Sequence, residues 1–434
     1  MTYLVIVLIL LGCAAGQVPT QDTLEELLAR AKAQGLVTSV EEISASYQKS
    51  ERNSAPVYVA IGRGDYRGEG SMADTFIMWD FLRGEVPLTD ANAALERVNG
   101  LVKKMEGAAS LPDYMPERDW ENPIAMHFPE LSAMREAARV LTSRAAIRAA
   151  QDDWAGAMSD MSLVANVVRH ARNDRAGILA ALVQRGTLIM WARGLEYLAS
   201  RSIQDADACK MLVDVAATVQ EPKMKAAIGY ELAFMRQTIL QMKRGEFGAS
   251  ELITAGSDEG QRKDEAIDRL FLERAESAEA LLVGYYVRVA EAWGDVDRVR
   301  QISEEFERRL EDHGGDPAIG VAMVLAPMLD QYHKLALDAV ANYRAARIGV
   351  IAAYVRAKTG KWPSLSEAAK EAGVSADDPF TSGNLAYKPS AAALLIYSVG
   401  PNGKDEGGVR RSQENRSNYD VAMFRVNLPS TPAP

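Results

Sequence analysis

Cysteine, histidine and excess positive charge are all scarce in this sequence. Its 434 residues include two cysteines and four histidines. This composition excludes a disulfide-bonded scaffold and disfavours a zinc site built from cysteine and histidine. Lysine and arginine number 49 against 59 aspartates and glutamates, which gives a formal charge of −10. Because a nucleic-acid-binding surface requires a basic face, the sequence predicts no nucleic-acid partner.

The common sequence motifs of catalysis are missing as well. The chain contains no His-Glu-x-x-His, no Gly-x-Ser-x-Gly and no phosphate-binding Walker loop. The histidines are far apart in sequence: His127, His170, His313 and His333. Two of them, His170 and His333, fall in helical patterns, where we expect a surface or half-buried structural role.

Adjacent carboxylates are also poor candidates for catalysis here. One pair is Asp152 and Asp153, and the other is Asp377 and Asp378. Both pairs fall at the starts of predicted elements, where capping and the helix dipole explain them. We therefore expect a non-enzymatic protein. The alternative is an exported hydrolase whose active site carries no recognised motif.

The N-terminus has the features of an export signal. Residues 4–11 form an unbroken apolar run of about eight residues, too short to span a bilayer and of the length of a signal-peptide core. The run leads into Gly12 and Cys13 and resembles a bacterial lipobox, in which a cysteine after a small residue is lipidated. The resemblance implies a signal peptide within residues 1–16 and lipidation of Cys13. It also implies a periplasmic or outer-membrane-anchored protein of the cell envelope, held to the membrane by its lipid.

Two alternatives for the N-terminus stay open. Ala14, Ala15 and Gly16 resemble an ordinary signal-peptidase site, whose cleavage gives a soluble exported form. Residues 1–3 contain neither lysine nor arginine, whereas signal peptides normally begin with a basic segment. The second alternative is therefore a buried N-terminal strand or helix with an unmodified Cys13.

The body of the chain is patterned for helices. Residues 17–129 read as an N-terminal helical region that ends in a proline-rich loop, and residues 130–339 repeat apolar positions at helical spacing. Residues 153–158 resemble the hairpin turn of tetratricopeptide-like repeats, but the strict repeat of about 34 residues is not found. We therefore expect an irregular array of helical hairpins. Cys209 falls in one of these helices and is expected to pack as a small apolar side chain.

The pattern changes after Gly360. A short helix is expected at residues 365–372, and strands at 385–388, 394–399 and 420–426, because these segments are rich in aromatic and β-branched residues. Residues 400–408 contain four glycines and form a loop. The predicted fold is thus mainly α: an irregular tetratricopeptide-like hairpin array followed by a small α+β domain at residues 340–428.

Several motifs of this C-terminal domain resemble the globular headgroup of the major pseudopilin of type II secretion systems. The matching segments are residues 343–354, 360–363, 378–380, 397–404 and 419–421. They cover roughly the last fifth of the chain. The whole chain also resembles exported helical proteins with no assigned activity, common in planctomycete-like bacteria.

The pseudopilin resemblance implies a calcium site in the glycine-rich loop. Calcium takes six to eight oxygen ligands in a flexible shell, and glycines allow backbone carbonyls to turn inward. Carried over to this chain, the ligands are Asn402, Asp405, Asn418 and Asp420. At Asn402 and Asn418 the family has acidic residues, so the shell carries less negative charge here and calcium should bind more weakly. The alternative is a solvated hairpin loop without metal.

The chain departs from pseudopilins in what precedes the headgroup. It has no Gly-Phe-Thr-Leu-x-Glu leader, and the helix expected at residues 340–358 contains Arg344, Arg347 and Arg356. We therefore expect a borrowed headgroup that does not polymerise into a pilus. The favoured hypothesis is a lipoprotein that binds a protein partner as a scaffold, through the concave surface of its helical hairpins. A link to a secretion machine, with co-purification of pseudopilins, is a further possibility.

Overall fold

A computed structural model describes residues 22–47, 50–64, 71–254, 263–312, 315–409 and 420–428. It confirms a mainly α-helical protein with a small antiparallel sheet of three strands at its C-terminal end. The predicted signal peptide with Cys13, as well as His313 and Asn418, lies outside the described residues.

The helices of the N-terminal half are α1 Leu24–Ala33, α2 Val40–Ala45, α3 Ala55–Gly62, α4 Met72–Leu82, α5 Leu88–Arg97, α6 Asn99–Ser110, a 3-10 turn Pro123–Ala125, α7 Pro129–Ala150, α8 Trp154–Asn173 and α9 Gly177–Ser202. Those that follow are α10 Ala206–Ala217, α11 Ala226–Lys243, α12 Ala249–Thr254, α13 Glu265–Glu291, α14 Val296–Asp312, α15 Pro317–Leu325, α16 Leu329–Thr359 and α17 Leu365–Ala372. The strands are β1 Ala386–Pro389, β2 Ala393–Ser398 and β3 Val421–Asn427.

The helical core is centred on α7, α9 and α16. Helix α7 packs against α8 and α9, and α9 packs in turn against α16. Gly194 of α9 allows close approach, since a Cβ there would lie 2.8 Å from Thr142 of α7 and from Met161 of α8. Trp191, one turn earlier in α9, is fully buried. As expected, Cys209 is buried in α10, and burial raises the pKa of its thiol.

Helices α7 and α8 form an antiparallel pair joined by a tight turn. Asp153 caps α8 by accepting a hydrogen bond from the backbone N–H of Gly156 at 2.9 Å, as its position predicts. Along the pair, Arg144 of α7 forms a two-point ion pair with the buried Asp160 of α8, at 3.0 and 2.5 Å. Burial raises the pKa of Asp160. Arg148 of α7 also pairs with Asp160, at 3.0 Å, so this carboxylate links two turns of α7 to α8 and fixes the register of the two helices.

The C-terminal module, residues 360–428, packs directly on the helical core. Its strands follow the order β1-β2-β3, and β3 contacts both α9 and α16. The contact is close because Gly349 of α16 leaves room for the ring of Phe424 in β3. The predicted domain boundary at residue 340 lies inside the continuous helix α16, so the helical region and the C-terminal module share that helix.

The second carboxylate pair does not cap a helix. Asp378 is buried, and its Oδ1 accepts hydrogen bonds from the hydroxyl of Ser398 at 2.7 Å and from the backbone N–H of Phe380 at 3.0 Å. Its Oδ2 accepts the backbone N–H of Val399 at 3.0 Å. The capping explanation is therefore wrong for Asp378. This carboxylate ties its own turn to the end of β2.

Candidate functional site

The glycine-rich loop of the C-terminal module brings together three of the four residues predicted to bind calcium. Asp420 is buried and accepts backbone N–H groups from Gly408 at 2.7 Å and Val409 at 3.1 Å. Asp405 accepts hydrogen bonds from the hydroxyl of Tyr397 at 2.5 Å and from Lys388 at 3.1 Å. The carboxylates thus already hold the loop together through protein donors.

A further acidic residue of this loop was missed in the sequence. Oε1 of Glu406 accepts a hydrogen bond from the side chain of Asn402 at 2.8 Å, while its Oε2 is buried without a hydrogen-bond partner. An unpartnered buried carboxylate oxygen is costly unless a cation or water meets it. Still, within the described ranges no three His, Cys, Asp or Glu residues are placed to hold a metal ion.

The strongest candidate for a catalytic pair is Ser54 with His170. The serine hydroxyl lies 3.5 Å from Nδ1 of His170, and the Tyr58 hydroxyl lies 3.3 Å from the same nitrogen. However, the Ser54 hydroxyl donates to the carbonyl of Asp113 at 2.8 Å, and Nε2 of His170 lies 2.9 Å from the carbonyl of Leu111. The imidazole is fully buried, and no carboxylate orients it through these contacts. The pair ties the loop after α6 to α3 and α8, which is a structural role.

The two buried histidines predict a pH dependence of stability. Burial lowers the pKa of His170 and of His333 to about 4. Unfolded histidine has a pKa of about 6.5, so the unfolded chain binds these protons first as the pH falls. The free energy of unfolding should therefore decrease between about pH 6.5 and pH 4, by up to about 3 kcal/mol per histidine.

Urea unfolding at several pH values measures this effect. His170→Gln and His333→Gln should each make the profile flatter, whereas His127→Gln, at an exposed position, should leave its slope unchanged. Buried carboxylates such as Asp160 and Asp338 have raised pKa values and act with the opposite sign. The effect of each histidine is therefore measured as the difference between the parent and the variant in the slope of unfolding free energy against pH. Equal slopes in all four proteins would contradict the prediction.

One large groove, here called the α1–α14 groove, has a volume of about 1200 Å³. Helices α1 and α14 both pack on α13 and form its two walls. Its uncharged lining consists of Leu27, Ala280, Leu281, Gly284, Tyr285, Ala292, Trp293, Gly294, Ile302 and Phe306. Its charged lining consists of Asp22, Arg30, Arg288, Glu291, Asp295, Arg298, Glu305 and Arg309. The groove is thus apolar in part and balanced in charge.

The carboxylates of the α1–α14 groove are held by arginines and by backbone. Glu291 and Asp22 both pair with Arg30, at 2.9 and 2.5 Å, and Glu305 pairs with Arg288. The hydrogen bond from Arg288 lowers the pKa of Glu305. A general acid that works near neutral pH needs a raised pKa instead. The arrangement suits binding better than proton transfer.

A second groove, here called the arginine groove, has a volume of about 890 Å³ and lies between the end of α4, one face of α9 and β3. It is lined by Trp79, Leu82, Arg83, Glu85, Arg193, Glu196, Tyr197, Ser200, Arg201, Gly408, Met423, Arg425 and Asn427. A smaller groove of about 310 Å³ shares Arg193 and Met423 with it and continues past Asp420. The arginine groove was not predicted from the sequence because its lining residues come from four separate segments of the chain.

These features define a mainly α-helical protein with a C-terminal antiparallel sheet, whose described surface includes the α1–α14 groove and the arginine groove. No family model matches the chain, and neither a curated protein nor a solved structure matches it. Among the described helices, none is both long enough and apolar enough to cross a membrane.

Proposed function

We propose that this protein is an exported, non-enzymatic binding module of the cell envelope, anchored by a lipid on Cys13. In this proposal an irregular tetratricopeptide-like hairpin array carries a C-terminal module similar to a pseudopilin headgroup. The α1–α14 groove is the surface that receives a protein partner. The supporting observation is the lining of this groove, which combines an apolar floor with carboxylates that are already paired.

The shape of the groove fits an amphipathic helix of the partner. Gly284 of α13 lies on the floor between the two walls, and a Cβ added there would meet only Leu27, at 3.7 Å. A helix can lay its apolar face in such a slot while its polar flanks meet charged residues on both sides. Because the described lining contains four arginines and four carboxylates, a partner with mixed charge suits it better than one of a single sign.

A substitution that fills the groove tests this function. Gly284→Leu should keep the fold, since the added Cβ makes only an ordinary van der Waals contact with Leu27 at 3.7 Å, but should remove the partner by filling the groove. Gly186→Leu in α9 is the matched control, because a Cβ there meets only Arg135 at 3.9 Å. Tagged mature proteins are purified from their native envelope and the bound proteins identified by mass spectrometry. A protein that binds the control but not Gly284→Leu supports the proposal. If that protein is a pseudopilin, the result also supports a link to secretion.

An identical set of bound proteins with both variants would contradict the assignment of this groove. The anchor is tested separately by metabolic labelling with palmitate. Cys13→Ser should abolish the label and move the protein from the membrane fraction to the soluble fraction. Unchanged labelling would show that Cys13 does not carry a lipid. The proposed role of the α1–α14 groove does not depend on this result.

Calcium binding by the glycine-rich loop stays a prediction of the pseudopilin resemblance. The buried, unpartnered oxygen of Glu406 supports it, whereas the hydrogen bonds that Asp405 and Asp420 already accept must be rearranged to admit an ion. If calcium binds, limited proteolysis of residues 400–420 should slow in its presence, and Glu406→Gln should reduce that protection. Identical cleavage with calcium and with chelator would show a metal-free loop.

A further inference from the structure

The arginine groove is positively charged in an otherwise acidic protein. Among the residues that the structure describes, its lining contains four arginines, Arg83, Arg193, Arg201 and Arg425, and two carboxylates, Glu85 and Glu196. The whole chain, by contrast, has a formal charge of −10. A concave surface of one sign concentrates ions of the opposite sign. The charge of this groove therefore favours an anionic ligand.

The two carboxylates of the groove are already engaged. Oε2 of Glu196 pairs with Arg193 at 2.6 Å, while its Oε1 accepts the backbone N–H of Arg425 at 3.2 Å. Glu85 pairs with Arg83 at 2.5 Å. These contacts offset two of the four guanidinium groups. The excess charge belongs to Arg201 and Arg425, two exposed residues on different elements that border the same space.

The groove also offers aromatic surface and a suitable size. Trp79 and Tyr197 are half-buried and line it from α4 and α9. Its volume of about 890 Å³ lies in the range of small-molecule sites, roughly 300–1,000 Å³. Guanidinium groups bind phosphate through two parallel hydrogen bonds, and aromatic side chains provide a flat apolar surface on which a ring can lie.

An alternative ligand is a peptide that adds a strand to the sheet beside β3. The hydrogen bonds already made along the edge of β3 disfavour this alternative. Two backbone N–H groups of β3 are already hydrogen-bonded to α9: Arg425 donates to Glu196, and Asn427 donates to the hydroxyl of Ser200 at 3.2 Å. The Ser200 hydroxyl in turn lies 3.4 Å from the carbonyl of Arg425, to which it donates. A strand-like ligand would have to displace these contacts.

We infer that the arginine groove binds a phosphate monoester carried on a sugar or sugar-like ring. The phosphate is bound by Arg201 and Arg425, and the ring lies against Trp79 and Tyr197. The same chemistry occurs in free sugar phosphates and in phosphorylated lipid headgroups. This site is separate from the α1–α14 groove, and it does not depend on the partner proposed there.

Titration calorimetry on the full mature chain tests the site, with glucose-6-phosphate as the probe and inorganic phosphate and glucose as comparisons. Glucose-6-phosphate should bind, inorganic phosphate more weakly and glucose not at all. Replacing Arg201 and Arg425 together by Gln should weaken binding by about tenfold or more, as expected for the loss of charge-assisted hydrogen bonds. The matched control replaces Arg52 and Arg308, two exposed arginines outside the grooves described, and should leave the affinity unchanged. Thermal unfolding confirms that both variants are folded.

A second arm separates the two sources of the ligand. Vesicles of phosphatidylcholine with and without phosphatidylinositol 4-phosphate are sedimented with the protein. If the protein sediments only with vesicles that contain the phosphorylated headgroup, and only when Arg201 and Arg425 are present, the ligand is a lipid. If the protein binds glucose-6-phosphate but not these vesicles, the ligand is a soluble sugar phosphate. If neither probe binds at millimolar concentration, or if both double variants bind equally well, the inference is overturned. Equal affinity for inorganic phosphate and glucose-6-phosphate would show that the sugar ring does not contribute to binding, and this part of the inference would be wrong.

Discussion

Replacing Arg118 with methionine is expected to lower the free energy of unfolding by about 3–5 kcal/mol, the usual cost of leaving buried charges without a partner. Arg118 pairs with Asp174 through both terminal nitrogens, at 2.6 and 2.8 Å, and with Glu130 at 2.7 Å. The side chains of all three residues are at most 3% exposed. Without the arginine, two carboxylates remain in a region that water does not reach.

The remaining contacts of this cluster do not compensate for the loss. Tyr114 donates its hydroxyl to Asp174 at 2.5 Å, and the backbone N–H of Ala176 donates to the same carboxylate at 2.8 Å. These are single hydrogen bonds and carry no opposite charge. Equilibrium urea unfolding gives the free energy, with Arg52→Met at an exposed position as the control, which should change by no more than about 0.5 kcal/mol. Equal stability of the two variants would show that the cluster is not needed for folding.

Replacing Gly349 with alanine is expected to destabilise the contact between the C-terminal module and α16. The added Cβ would lie 2.2 Å from Cδ1 and 2.3 Å from Cε1 of Phe424, so the buried ring and β3 must move. Overpacking of this kind costs about 1–3 kcal/mol. Limited proteolysis should then cut within residues 360–428 faster than in the parent protein, while the helical circular-dichroism signal stays nearly the same.

A double variant identifies the cause of that effect. Phe424→Leu removes the ring atoms that the new Cβ would meet, so Gly349→Ala should cost less in its presence than alone, which a double-mutant cycle measures. Gly186→Ala in α9 is the control, since its nearest neighbour would be 3.9 Å away, and it should be neutral or slightly stabilising through helix propensity. If Gly349→Ala behaved like this control, close packing at the junction would be refuted.

Local patterns in the sequence predicted the elements of this fold well. The strand expected at residues 394–399 is β2, Ala393–Ser398, and the helix expected at 365–372 is α17. The chain before residue 360 divides at Pro327 into α15 and α16, because proline cannot continue a helix. Such elements depend on neighbours a few residues apart, which a single sequence contains.

Contacts between distant segments were not predictable in the same way. Asp378 was interpreted as a capping residue, whereas its partners at Ser398 and Val399 lie about twenty residues further along. The arginine groove joins α4, α9 and β3, and no pattern within any one of them shows that Arg201 and Arg425 border the same space. Both depend on how the module packs on α9 and α16, and packing of this kind is set by the whole core.

The edges of the small sheet have a consequence for aggregation. On one side, β3 presents its backbone N–H groups to Glu196 and Ser200 of α9. On the other side, β1 is only four residues long and contains Lys388 and ends at Pro389, two residue types that discourage intermolecular sheet growth. Neither border of the sheet can readily template another copy, so intermolecular strand pairing through this sheet is disfavoured even at high protein concentration.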